Sequence, residues 1–173
     1  WLANLREALP GARALSEKWL GLSAKRALPR FRSDTFWRTR DEAQFATREQ
    51  ALAAGPAKAA VLFVDTFNGH FEAEHAHAAA RVLKAAGYAV HTVTKGGGHV
   101  CCGRTYLSAG MVDQARAKAA ELVDALLPFA QAGIAIVGLE PSCLLTLRDE
   151  ALALGLGERA EVVSKQALLF EEF

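Results

Sequence analysis

Cysteine is scarce in this chain, and so are methionine and long apolar runs. Three cysteines are too few for a disulfide framework. No apolar stretch approaches the 18 or so residues of a membrane helix, and the start carries no signal-peptide pattern. Charge of one sign is lacking overall: the net is +1 across 173 residues. What is present is ordinary for a soluble domain with a full core, half hydrophobic and 23% charged.

The balance of charge conceals an asymmetry. Residues 1–40 hold nine Lys/Arg against three Asp/Glu, while the remainder holds eleven against sixteen. A basic arm therefore precedes an acidic domain. Such an arm reads as a solvated linker wrapped on its own acidic domain, or as a docking element for another domain or an anionic membrane surface. The chain begins with Trp and not Met, which reads as a piece of something longer.

Residues 1–56 form the arm. Leu2, Leu5 and Leu9 suggest a short amphipathic helix ended by Pro10-Gly11, and Leu15, Trp19, Leu20 and Leu22 a second one. Phe36 and Trp37 are expected to pin the arm to a surface, and Thr47 to Ala54 to add a helical turn or two.

From residue 57 the pattern changes. The apolar run Ala59–Val64 reads as a buried parallel strand, followed by a polar loop, Asp65 to His70. Glu72 to Ala86 reads as a helix with Ala76, Ala79, Val82, Leu83 and Ala86 on one face. Tyr88 to Thr94 is a second strand and Ile134 to Gly138 a third. Between them a long helix carries the stripe Met111, Ala115, Ala119, Leu122, Leu126. Pro141 opens a helix running from Ser142 to Leu154. Val162 to Phe173 reads as a helix, or a strand plus a helix. The alternation predicts an α/β fold, three-layer with a parallel sheet and right-handed crossovers, preceded by an irregular helical N-terminal arm.

In that topology the three loops after the strands fall on one sheet edge, where α/β proteins place ligands. All the cysteines lie there: Cys101 and Cys102 in Gly96-Gly97-Gly98-His99-Val100-Cys101-Cys102-Gly103, and Cys143 in Gly138-Leu139-Glu140-Pro141-Ser142-Cys143. Adjacent cysteines rarely bond to each other, because the ring is strained. Two thiolates can instead face one metal, and soft thiolates select iron–sulfur clusters, zinc or copper(I). Three are one short of a four-thiolate set. His99, His70 and Glu140 are the candidates to complete it. Cys143, in the first turn of a helix, is expected to be the most reactive thiol; taken alone it also reads as a buried small hydrophobe. His75, His77 and His91 read as surface or packing residues. The glycine run is no phosphate loop, since no Gly-Lys-Ser/Thr follows.

Three motifs, Leu62-Phe63-Val64-Asp65-Thr66-Phe67-Asn68-Gly69-His70-Phe71-Glu72, Val100-Cys101-Cys102-Gly103 and Val137-Gly138-Leu139-Glu140-Pro141-Ser142-Cys143-Leu144, together resemble the cysteine-rich CCG domain family. That family includes heterodisulfide reductase, the iron–sulfur component of glycolate oxidase and the C-terminal part of FAD-linked D-lactate and D-2-hydroxyglutarate dehydrogenases. The match covers about residues 57–173. Three of the five family cysteine positions are filled; Asp65, Thr66 and Asn68 occupy the first loop and Glu140 another position.

The resemblance implies one CCG repeat, residues 57–173, of a larger oxidoreductase that oxidises a D-2-hydroxy acid at FAD and passes electrons to a membrane quinone or cytochrome. It implies an iron–sulfur cluster (4Fe-4S type, incomplete here) or zinc, with Cys101, Cys102 and Cys143 as ligands, joined by His99 or Glu140. FAD-binding and ferredoxin-like domains of the same parent chain are the implied partners, and nucleic acid is not. The implied location is the cytoplasm, peripheral on the inner membrane. The other reading of the cysteines is a non-catalytic interaction domain with a zinc or free-thiol site.

Overall fold

The computed structural model describes residues 2–173; Trp1 and the side chain of Leu2 lie outside the described residues. Four strands, β1 (Ala59–Phe63), β2 (Ala89–His91), β3 (Ala135–Gly138) and β4 (Ala167–Leu169), form one all-parallel sheet in the order β2-β1-β3-β4. Val61 of β1 sits between His91 of β2 and Ile136 of β3, and Ile136 pairs in turn with Ala167 of β4.

Every residue of β1 is buried, as its unbroken apolar run predicts for a central strand. Its side chains alternate between two cores. Val61 and Phe63 point into one with Leu122, Leu126 and Ile136; Leu62 and Val64 point into the other with Ala76, Ala80, Leu83 and Phe36. The first core lies under α8 (Val112–Gln131), α9 (Pro141–Arg148) and α11 (Glu158–Gln166), the second under α6 (Ala73–Ala85). The sheet is thus the middle of three layers.

The stripe on α8 is buried at Ala115, Ala119, Leu122 and Leu126. Met111 is the exception: it caps the helix and is 41% exposed. On α6, Val82 is exposed while Ala76, Ala79 and Leu83 are buried.

Four local expectations change. The loop after β1 is a helical turn, α5 (Thr66–His70), because the Asp65 carboxylate accepts from the N–H groups of Phe67 at 2.8 Å and Asn68 at 3.1 Å. A short helix, α7 (Arg104–Ser108), follows the cysteine pair. The helix after Pro141 is interrupted at Asp149, whose backbone leaves helical geometry, and resumes as α10 (Glu150–Ala153). The C-terminal segment runs helix first and strand second, α11 then β4, so a fourth strand closes the sheet beside β3.

In the arm, α1 (Leu2–Ala8) and α2 (Ala12–Leu20) pack on each other around Arg6. The Arg6 guanidinium donates to Ser16 Oγ at 2.7 Å and to the Ser23 carbonyl at 2.7 Å. Further on, α3 (Phe36–Thr39) buries Phe36 fully against the rings of Trp37, Phe45 and His77. The last arm helix, α4 (Arg48–Ala54), starts with a capping box in which Thr47 and Gln50 bond reciprocally, and it places Ala51 in the larger core.

Candidate functional site

The chain leaves β1 toward β2 under one face and leaves β3 toward β4 under the other. The carboxyl ends of β1 and β3 are therefore the switch point of the sheet, the position where open parallel sheets take ligands. The loop after β2 crosses the same edge. Three loops therefore meet there: Asp65–His70, Gly96–Gly103 and Gly138–Cys143.

Gly103 fixes the middle loop. Its φ is +85°, a left-handed conformation, and a Cβ there would lie 2.6 Å from the carbonyl oxygen of Ala115 on α8. The loop therefore presses against α8 only because residue 103 has no side chain. That contact carries Cys101 and Cys102 to the sheet edge. Gly138 plays a similar part at the end of β3, where a Cβ would lie 2.7 Å from Leu144 Cδ1, so α9 closes down tightly on the strand.

Cys102 adjoins Cys101 in sequence and lies close enough to Cys143 to be influenced by it, and Cys102 and Cys143 are each only 4% exposed. Cys101 is half-buried and collects donors. The Gly103 N–H donates to its sulfur at 3.4 Å and the Thr66 hydroxyl at 3.9 Å. Behind it stands an imidazole pair: Thr66 Oγ1 is 3.2 Å from His99 Nε2, and His99 Nδ1 is 3.3 Å from His70 Nε2. Trp37 of the arm closes the far side, its ring 6.3 Å from that of His99.

These contacts separate the two adjacent thiols. Hydrogen bonding from Cys102, then from His99, holds the Cys101 thiol far down, to about 3; burial opposes this, and the Gly103 N–H and Thr66 add to it. Cys102 is pushed up by its contact with Cys101, then by Cys143, then by burial. One thiolate and one thiol therefore sit side by side, as repulsion between like charges requires. Burial, and next the facing His99, lowers His70 below the ordinary imidazole value.

The fold thus brings together Cys101, Cys102, Cys143 and His99. Glu140 is engaged elsewhere: its carboxylate caps α9, accepting from the Ser142 N–H at 3.3 Å and from the Ser142 hydroxyl at 2.8 Å. Asp65 and Asn68 are buried and bond to each other at 2.7 Å, holding α5 in shape. His75 and Glu72 form an exposed pair, His77 stacks on Phe36, and His91 Nδ1 lies 2.8 Å from the Ala46 carbonyl oxygen, all outside the site. Among the described residues no group of three or more His, Cys, Asp or Glu side chains is arranged to hold a metal ion. Three thiols fall short of a four-thiolate cluster set, and the Glu140 carboxylate is committed to a helix cap. As arranged, the donors do not fit a cluster on this chain alone.

Two site residues gave little signal in the sequence. Thr66 occupies the loop where the CCG pattern has a cysteine, which was the one clue to its place beside Cys101. Trp37 lies far away in sequence and is marked only by its being aromatic. No family model, curated protein or solved structure matches this chain.

Proposed function

We propose that this chain is the CCG-type cysteine-rich domain of an FAD-dependent oxidoreductase that oxidises a D-2-hydroxy acid and passes electrons to a quinone or cytochrome. The observation that carries the reading is the placing of its three motif loops at one sheet edge, where Thr66 and His99 stand beside Cys101 and Cys143 opens the helix after β3. Flavin and substrate belong to other parts of such an enzyme. This domain's share is to present the half-buried Cys101, with two buried thiols in the same region, at the electron-accepting end. No electron-transfer step is assigned to a cluster here, because the donor set is incomplete. The setting is cytoplasmic, at the face of a membrane that holds the acceptor; no helix among the described residues is long and apolar enough to cross one.

A second reading, a non-catalytic interaction domain with a zinc or free-thiol site, draws on the three unpaired cysteines, two of them buried. Stopped-flow kinetics on the full-length oxidoreductase separate the two. Under the first reading, Cys101→Ser slows reduction of a quinone acceptor more than about tenfold, or about 1.4 kcal/mol, and leaves flavin reduction by the hydroxy acid unchanged. If acceptor reduction is unaltered, the oxidoreductase reading of this site fails.

A further inference from the structure

The α1–α2 hairpin carries an apolar face that the rest of the chain leaves uncovered. Trp19 is 72% exposed, Leu20 71% and Leu15 60%. With Ala12, Leu22 and Leu28 they line a groove of about 540 Å³. Scattered exposed leucines are ordinary, but a contiguous patch with a tryptophan on its rim marks a surface that meets something apolar.

The hairpin and the segment after it carry an excess of exposed positive charge. Lys18, Lys25, Arg26 and Arg30 are exposed and make no ion pair among the described residues. Of the nearby carboxylates, Glu7 pairs with Arg6 and Arg13, while Glu17, which accepts from the Ala24 N–H at 3.2 Å, is an exposed negative charge beside these four cations. The hairpin's own shape is set internally by Arg6, which spends its donors on Ser16, Leu22, Ser23 and Arg26.

We propose that the α1–α2 hairpin docks this protein on an anionic lipid bilayer. Trp19, Leu20 and Leu15 enter the interface, and Lys18, Lys25, Arg26 and Arg30 meet the headgroups. Tryptophan is the side chain that best suits the boundary between headgroup and acyl chain. A small apolar insertion binds weakly by itself, and adding several cations gives the two-part attachment that holds peripheral proteins on acidic membranes. A protein partner could use the apolar groove as well; the excess of exposed cations on the same hairpin and the outward tryptophan favour lipid. The inference does not rest on the thiol site.

The test is co-sedimentation of the full 173-residue chain with vesicles of phosphatidylcholine alone, or of phosphatidylcholine with phosphatidylglycerol. Binding is expected only with phosphatidylglycerol present, and is lost at high salt. Lys18→Glu with Lys25→Glu weakens it more than about tenfold, since each basic residue near the surface contributes roughly fivefold. Trp19→Ser with Leu20→Ser also weakens it, although the charge is unchanged. Both pairs are exposed, and unchanged circular dichroism checks that the fold is intact. Cys101→Ser binds like the parent chain. Absence of binding to phosphatidylglycerol vesicles, or binding that neither double variant alters, overturns the proposal and leaves the groove to a protein partner.

Discussion

Gly103 and Ala115 approach so closely that a side chain on the glycine would strike backbone: its Cβ would lie 2.6 Å from the Ala115 carbonyl oxygen. The contact joins the cysteine loop to the helix that covers the sheet. Gly103→Ala adds this clash to the cost of a left-handed conformation and should destabilise the protein by about 2–4 kcal/mol. Gly97 has a similar φ of +79° with nothing within 4 Å, so Gly97→Ala should cost only about 1–2 kcal/mol. Urea denaturation compares the two. Equal losses would mean that the close approach is unimportant.

The fold should stand without metal. Its cores are filled by side chains such as Leu122, Leu126, Ile134 and Ile136, all fully buried. A chelator is expected to leave the far-ultraviolet circular dichroism and the melting temperature unchanged, unlike a zinc finger, whose metal-binding energy is its folding energy. Leu122→Ala should cost about 2–5 kcal/mol with or without chelator. Unfolding by the chelator alone would refute this.

Arg6 organises the α1–α2 hairpin and touches neither core. Arg6→Met removes donors from Ser16 Oγ and from the carbonyls of Leu22, Ser23 and Arg26. A local loss of about 1–3 kcal/mol is expected. Trypsin should then cut faster at Lys18, Lys25 and Arg26, while the sheet and its helices resist. Simultaneous loss of the whole domain would show that the hairpin is not an independent unit of stability.

Among the thiols, Cys101 should be alkylated first. The sequence pointed to Cys143, from the dipole of the helix it starts, and the structure does place Cys143 in the first turn of α9. Its side chain, however, is only 4% exposed, as is that of Cys102, and reagent access decides the rate. Cys101 is more open and holds the thiolate. A thiol held low is ionised across the neutral range, so its alkylation rate should stay flat through neutral pH and fall only in acid; an ordinary thiol's rate climbs toward about pH 8.5. Mass spectrometry reads each site separately. Faster labelling of Cys143 would restore the helix-terminus expectation.

How much of this was legible follows from the range of each interaction. The unbroken run Ala59–Phe63 and the spacing of Ala115, Ala119, Leu122 and Leu126 are local signals, and both elements form where those signals lie. The convergence of the cysteine loops followed from parallel topology. The capped turn α5 did not, because Asn68, Gly69 and His70 look like loop residues until Asp65 satisfies their helix start. Strand β4 is three residues long and gains its identity from pairing with β3, a contact no periodicity encodes. The burial of Cys143 beside Cys102 and the placing of Thr66 next to Cys101 are long-range results of the same kind.

The most direct measurement is the thiolate absorbance of the chain, titrated in the ultraviolet. The three loops are held to build one site in which Cys101 is ionised while Cys102 keeps its proton. One thiolate per chain should therefore be present at about pH 6, where an unperturbed cysteine is almost wholly protonated. It should vanish in Cys101→Ser and shift toward higher pH in Thr66→Val, which removes a donor to the sulfur. A chain that shows no thiolate until about pH 8, or whose thiolate survives Cys101→Ser, would contradict the site as described.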